Sequence, residues 1–177
     1  VMIEASHSYG ASKYRDAAMK CGDFMLSAQM PDPQPTWAQQ YNHQMEPAWA
    51  RRFEPASVTG GESFGVMNAL IDLYTETGEE RFIATIPKAL AWATRSLLPD
   101  GRLARFYELK TNKPLYFVRN TYELVYSDAD MPTHYAFKVA GKQRIESVER
   151  RLVQLEKEGL EAALAARKLR WGGTLAD

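Results

Sequence analysis

Arginines and aromatic residues recur together in two polar segments of the chain, residues 36–57 and 102–119. The candidate side chains in these segments are Trp37, Arg51, Arg52, Arg105, Tyr107 and Arg119. Flat aromatic rings pack on the faces of sugars, and a guanidinium binds a carboxylate through two parallel hydrogen bonds. The two segments are therefore predicted to be the loops of a cleft that binds acidic carbohydrate.

The same arginines also have a purely structural interpretation. Arg51, Arg52 and Arg105 can pair with neighbouring carboxylates and fix the loops, and those carboxylates are Glu46, Glu54 and Glu108. A third polar segment, residues 122–138, contains His134, which has no partner at the spacing of a zinc site. We expect His134 either to contact sugar or to pack within its own loop.

A repeat of 68 residues determines where these segments fall. The matching pairs are Gly10 and Gly78, Tyr14 and Phe82, Lys20 and Lys88, Pro31 and Pro99, and Asp32 and Asp100. With a slip of one or two residues the match continues through the loops, at Ala38 and Ala104, Tyr41 and Tyr107, Pro47 and Pro114, and Arg52 and Arg119. Such a period marks stacked units that cannot bury their apolar faces alone. Each unit is predicted to hold two helices and an elaborate loop.

Hydrophobic periodicity predicts which elements make up each unit. Amphipathic patterns predict helices over residues 12–29, 61–76 and 79–97, the last with Pro87 in its first turns or at a kink. Alternation and turn residues predict an antiparallel pair of short strands at 102–108 and 114–118. A single charged helix is predicted from Gly141 to about Arg170, laid along the edge of the domain. The fold class expected is therefore all-α, built from helical-hairpin repeats with short β-hairpin loops.

The repeat also bears on where the chain begins. Residues 1–5 align with residues 69–73, which lie in the middle of a predicted helix. The sequence is therefore expected to start inside a helix, with the N-terminal part of its domain lying upstream. We expect residues 1–140 to be the C-terminal part of that domain, and residues 141–177 to be a C-terminal helix and tail.

Composition narrows the function classes. The chain has 177 residues, is 45% hydrophobic, and balances 22 basic against 22 acidic residues. This balance gives no support to a nucleic-acid or acidic-lipid partner. Its single cysteine, Cys21, is expected to be a buried thiol that does not identify the redox compartment. No apolar run approaches the roughly 18 residues that span a bilayer, so no membrane partner is expected.

Four ordered blocks carry a resemblance to a known family. Residues 35–42 read PTWAQQYN, residues 48–57 read AWARRFEPAS, residues 60–63 read GGES, and residues 104–116 read ARFYELKTNKPLY. In this order and spacing they resemble the family 10 polysaccharide lyases, the pectate or pectic acid lyases. Val118-Arg119-Asn120 stands where that family has GRDG, and residues 133–136 stand where it has TGYAW. The resemblance covers about residues 10–140.

The resemblance implies a partial (α/α) toroid and calcium-dependent β-elimination of polygalacturonate or a related uronate polysaccharide. Removing a proton beside a uronate carboxylate requires stabilisation of the charge that develops there, which calcium and arginine can supply. By block position Arg119 is the catalytic arginine. The implied substrate-binding residues are Arg51, Arg105, Trp37, Tyr107 and His134. A secreted or periplasmic location follows from the same resemblance.

Departures from the family pattern keep a second hypothesis open. Asn42 stands where the family has a carboxylate, so it is the candidate calcium ligand of this chain, and Asn120 replaces an aspartate. An amide oxygen can bind calcium, but it brings no charge. The other calcium carboxylate of the family is expected upstream of residue 1. The alternative is therefore a non-catalytic carbohydrate-binding or scaffold domain that has lost the metal site.

Overall fold

The computed structural model describes residues 1–171, and helices dominate this part of the chain. The helices are α1 (Met2–Tyr9), α2 (Ser12–Ser27), α3 (Glu62–Thr77), α4 (Ile86–Arg95), α5 (Lys142–Glu158) and α6 (Leu160–Trp171). A single 3₁₀ turn, Glu80–Phe82, precedes α4. The fold is mostly helical, as predicted, but it also contains small antiparallel sheets.

Six short strands lie in the long loops of the described residues. They are β1 (Ser57–Thr59), β2 (Arg102–Ala104), β3 (Phe106–Glu108), β4 (Pro114–Phe117), β5 (Leu124–Val125) and β6 (Lys138–Ala140). One sheet has the order β1-β3-β4-β5, and a second pairs β2 with β6, antiparallel throughout. The predicted strand pair at 102–118 thus forms, although residues 102–108 divide into two strands that join different sheets. Because β1 pairs with β3, the loop of the first repeat is joined to the loop of the second.

The 68-residue repeat is visible in the way two helices end. Gly10 ends α1 with a φ of 64°, and Gly78 ends α3 with a φ of 72°. Each glycine donates its N–H to a carbonyl four residues back, that of Ser6 at 3.0 Å and that of Tyr74 at 2.8 Å. The two acceptors are themselves 68 residues apart. Glycine occupies both places because a side chain disfavours this left-handed backbone conformation.

A tyrosine hydroxyl joins the end of a helix to its following loop in the first repeat. The Tyr41 hydroxyl donates to the carbonyl of Ala28 at 2.6 Å and accepts the N–H of Ala38 at 2.7 Å. Ala28 directly follows α2, so this one side chain connects the helix end to the start of the loop. The Tyr41 ring meets Phe24 of α2 edge-on, with an interplanar angle of 90°.

The second repeat contains the same arrangement. The Tyr107 hydroxyl donates to the carbonyl of Ser96 at 2.6 Å and accepts the N–H of Ala104 at 2.9 Å. Its ring meets Trp92 of α4 edge-on at 84°. We call each arrangement a tyrosine bracket, the first made by Tyr41 and the second by Tyr107. Their correspondence, contact by contact, supports the sequence repeat at the level of individual hydrogen bonds.

The two repeats are in close contact at Gly60. This buried residue follows β1, and its N–H donates to the carbonyl of Arg105 at 3.0 Å. A Cβ added at Gly60 would overlap the carbonyl oxygen of Ala104 and lie 2.9 Å from the Cβ of Leu103. The absence of a side chain therefore allows the first loop to lie against β2 of the second.

The C-terminal region differs from the single peripheral helix predicted over 141–170. Gly159, with a φ of 80°, breaks it into α5 and α6, and its N–H donates to the carbonyl of Leu155 at 2.9 Å. Helix α5 packs on α3 and α4, and α6 folds back onto α1 and α3. Arg151 of α5 and Arg167 of α6 both pair with Asp72 of α3. The region thus forms a helical hairpin of α5 and α6.

Pro87 lies in the first turn of α4, where the missing N–H removes no helical hydrogen bond. The core lies between the helices and the sheet, and its largest buried side chains include Trp37, Trp92, Phe82, Phe106, Phe117 and Phe137. Cys21, expected to be buried, is exposed on α2. Among residues 1–171, no helix combines the length and apolar character needed to cross a membrane.

Candidate functional site

The loop between Trp49 and β1 is organised around a buried carboxylate, Glu54, which is 3% exposed. Glu54 accepts a hydrogen bond from the Arg51 guanidinium, one from Gln39 Nε2 at 2.9 Å and one from the Tyr135 hydroxyl at 3.0 Å. The Arg51 hydrogen bond lowers the pKa of Glu54 to about 2, although burial acts in the opposite direction. Arg51 is therefore held by a permanent internal anion, as the structural interpretation of the loop arginines anticipated.

Tyr135 brings the first and second loops together. The guanidinium carbon of Arg105 lies 4.6 Å from the centre of the Tyr135 ring, and that of Arg51 lies 5.6 Å from it. Arg105 is fixed further by Glu62 Oε1 at 2.6 Å, and by the carbonyl of Ala136 at 2.7 Å. Its carboxylate partner is thus Glu62 rather than Glu108. The structure places Arg51 and Arg105, both predicted substrate-binding residues, against one aromatic ring.

A second contact between the loops lies beside this one. Arg52 donates from Nη2 to the carbonyl of Thr121 at 2.8 Å, and its guanidinium carbon lies 4.9 Å from the centre of the Tyr122 ring. Tyr122 stacks on Phe53, with ring centroids 5.6 Å apart. The exposed His134 meets Phe53 edge-on at 5.5 Å, and its Nε2 lies 3.4 Å from the Tyr122 hydroxyl. His134 therefore lies on the same face of the protein as Arg51, Arg52 and Arg105. This face is formed around the rings of Phe53, Tyr122 and Tyr135.

Arg119, the predicted catalytic residue, lies just beyond β4. Its backbone N–H donates to the carbonyl of Asp130 at 2.8 Å, and its Nε lies 3.2 Å from Asp130 Oδ1. The Arg119 side chain is 50% exposed. Because Arg52 binds the carbonyl of Thr121, two residues further on, the two loops that carry these arginines are neighbours.

Two predicted substrate-binding residues lie in the core instead of on a cleft wall. Trp37 is 2% exposed, and its indole N–H donates to the carbonyl of Met25 at 2.7 Å. Tyr107 is also 2% exposed, and its hydroxyl forms the second tyrosine bracket. Burial raises the pKa of Tyr107 well above its usual value. Their rings are therefore closed to a sugar, because each side chain connects a helix to a loop.

Asn42, the predicted calcium ligand, is occupied by its own loop. Its Oδ1 accepts the backbone N–H groups of Gln44 at 2.9 Å and Glu46 at 3.0 Å, and its Nδ2 donates to Glu46 Oε2 at 3.1 Å. An amide oxygen has two lone pairs, and both are directed at these donors. Nowhere in residues 1–171 do three or more His, Cys, Asp or Glu residues group as a metal site would require. The residues present do not fit a calcium site.

Sequence reasoning missed the residues that organise the face. Glu54 appeared only as a possible partner of an arginine, and Tyr135 and Phe53 were given no role. The available signal was the match of residues 133–136 to a family block, since this block contains Tyr135. What sequence could not supply is that Tyr135 reaches Glu54 across 81 residues.

Replacement of Glu54 by glutamine is expected to lower the free energy of unfolding by about 2 kcal/mol at pH 7, because charged hydrogen bonds in a buried site are lost. The folded-state pKa of about 2 lies below the ordinary value of 4.5, so this stabilisation is full above pH 4.5. It disappears as the pH falls from 4.5 towards 2. Urea denaturation of both proteins across this range measures the difference.

The exposed Glu149 of α5 offers a matched control, and Glu149→Gln is expected to leave stability unchanged within about 0.5 kcal/mol. A difference between wild type and Glu54→Gln that stays constant from pH 7 to pH 2 would show that Glu54 does not act through its charge.

Comparison with known proteins assigns the chain to a family. The family model described as pectic acid lyase matches residues 6–103, more than half of the chain. No curated protein matches the chain.

Two solved structures are similar to the chain. One is a mutant of the family 10 polysaccharide lyase from Cellvibrio cellulosa in complex with trigalacturonic acid, with a TM-score of 0.67. The other is the family 10 polysaccharide lyase from the same organism, with a TM-score of 0.65. Both are 21% identical to the chain and cover 79% of it, while the chain spans only 51% of each. At 21% identity, these similarities show a shared fold and nothing about function. Together with the family match, they show that the chain belongs to the pectic acid lyase family.

Proposed function

We propose that the intact protein is a pectate-lyase-like polysaccharide lyase that cleaves polygalacturonate or a related uronate polysaccharide by β-elimination. Family membership supports the reaction class. The observation that carries the proposal is the packing of Arg51, Arg52 and Arg105 against the rings of Tyr135 and Tyr122, with Arg119 on the loop whose Thr121 carbonyl binds Arg52. Such a collection of guanidinium groups suits a polyanion.

The reaction assigns different tasks to these arginines. In β-elimination a base removes the proton beside the carboxylate, and the electron pair of that C–H bond forms a double bond while the bond to the glycosidic oxygen breaks. The expelled oxygen takes up a proton as the leaving sugar departs, and the other fragment keeps an unsaturated end. We assign the proton transfer to Arg119, while Arg51 and Arg105 stabilise the negative charge that develops on the carboxylate. Since Arg119 pairs with Asp130, substrate must displace or share this exposed partner.

Calcium is not assigned to any described residue. The family resemblance leads us to expect calcium dependence, yet the Asn42 side chain already binds its own loop. The helices are proposed to be part of an (α/α) toroid, since the chain spans about half of the solved lyases and shares their fold. A secreted or periplasmic location remains a proposal drawn from the family.

The test is direct. Purified intact protein is incubated with polygalacturonate, with and without added calcium, and the absorbance of unsaturated ends is followed. A steady rise is expected with at least one uronate polysaccharide. Correctly folded protein that gives no rise with polygalacturonate, alginate or other uronans would contradict the proposal.

The Asn42 side-chain oxygen accepts two N–H groups of its own loop, and this favours a second candidate function. That candidate is a non-catalytic domain that binds acidic carbohydrate without metal. Isothermal titration calorimetry separates the two candidates. The non-catalytic candidate predicts that the intact protein binds trigalacturonic acid equally well with calcium and with a chelator. Tight calcium binding would contradict it, because such affinity requires a carboxylate-rich site.

A further inference from the structure

Of the four loop arginines, three are already paired with carboxylates. The pairs are Arg51 with Glu54, Arg105 with Glu62, and Arg119 with Asp130. Arg52 differs from them. Within the described part of the chain, no carboxylate lies in ion-pair range of Arg52, and its contacts are the carbonyl of Thr121 and the ring of Tyr122.

These two contacts orient the guanidinium without neutralising it. The Thr121 carbonyl engages one of the five N–H donors, and the Tyr122 ring restricts the direction of the group. Arg52 is exposed, so its remaining donors can reach a ligand. Binding a carboxylate there displaces no internal anion, whereas the other three arginines must release or share one.

Arg52 has a counterpart in the second repeat. That counterpart, Arg119, lies on the loop whose Thr121 carbonyl binds Arg52, so the two arginines come from adjoining loops of successive repeats.

We propose that Arg52 is a specificity-determining residue that binds a carboxylate of the acidic sugar and favours free uronates over their esters. The inference rests on the proposed function, because the ligand is the uronate of that site. A bidentate guanidinium–carboxylate pair is lost when the carboxylate is esterified. Arg52 thus discriminates by the state of the substrate carboxyl group rather than by chain length.

A double-mutant cycle on the intact protein tests this. Wild type and Arg52→Ala are each titrated calorimetrically with trigalacturonic acid and with its methyl ester. We expect the substitution to weaken binding of the acid about tenfold or more, and to leave binding of the ester unchanged within about twofold. Arg52→Lys keeps the charge but lacks the two parallel N–H donors of a guanidinium, so its loss of affinity for the acid should be intermediate.

Arg150→Ala provides the control, since Arg150 is an exposed arginine on α5, away from this face; it should bind both ligands like wild type. If Arg52→Ala weakened binding of the acid and of the ester equally, Arg52 would only connect the two loops, and the inference would be overturned. Unchanged affinity for the acid would also overturn it. Tight, Arg52-dependent binding of the acid without turnover would refute the lyase and leave the inference standing. Failure of wild type to bind either ligand would refute both.

Discussion

Arg119→Ala in the intact protein is expected to lower kcat on polygalacturonate by about 1000-fold or more, because the proposed proton transfer loses its group. Thermal stability should change by no more than about 1 kcal/mol. The Arg119 side chain is half exposed and its partner Asp130 is 61% exposed, and exposed ion pairs contribute little to stability. Initial rates and thermal unfolding on the same preparations measure both effects.

Arg119→Lys is the informative companion, since it keeps the charge but changes both the geometry and the basicity of the group. If Arg119 only attracts substrate, the lysine variant should retain most of the turnover. If Arg119 transfers the proton, both variants should be inactive. A large loss of stability with unchanged sugar affinity would instead show that Arg119 stabilises its loop and does not act on the substrate.

Gly60→Ala is expected to destabilise the protein by about 3 kcal/mol or more, the largest stability effect that we predict for a single methyl group. The added Cβ would overlap the carbonyl oxygen of Ala104. A backbone atom cannot rotate away as a flexible side chain can, so β1 and β2 must separate. The free energy of unfolding from urea denaturation measures the loss.

Gly65→Ala supplies the matched control from the same region. Gly65 is an exposed residue inside α3, and nothing lies within 4 Å of a Cβ added there. Alanine should therefore stabilise the helix, by roughly 0.5 to 1 kcal/mol. If both variants had the same stability, the contact at Gly60 would be less tight than described.

The repeat was accessible from sequence because its most diagnostic residues act locally. Gly10 and Gly78 are recognisable as helix ends, since the left-handed conformation that they adopt favours glycine. Apolar periodicity predicted the helices for a similar reason. The division at Gly159 escaped prediction because a glycine within a charged helical pattern costs only about 1 kcal/mol and is often tolerated.

The roles of the aromatic residues were less accessible. Trp37 and Tyr107 each combine a flat ring with one polar atom, which suits a sugar-binding wall and a buried connector equally well. Their partners, the carbonyls of Met25 and Ser96, lie 12 and 11 residues away and have no side-chain signature in sequence. Asn42 posed the same problem, since its oxygen binds backbone N–H groups.

The tyrosine brackets also bear on how such a protein can change over evolutionary time. Tyr41 lies 13 residues beyond its helix-end acceptor, whereas Tyr107 lies 11 residues beyond its own. The two-residue slip in the sequence repeat thus falls between these attachment points, and the hydrogen bonds of both brackets form in spite of it. The segment enclosed by a bracket can therefore lengthen or shorten without a change in the helix end and loop start that the bracket joins.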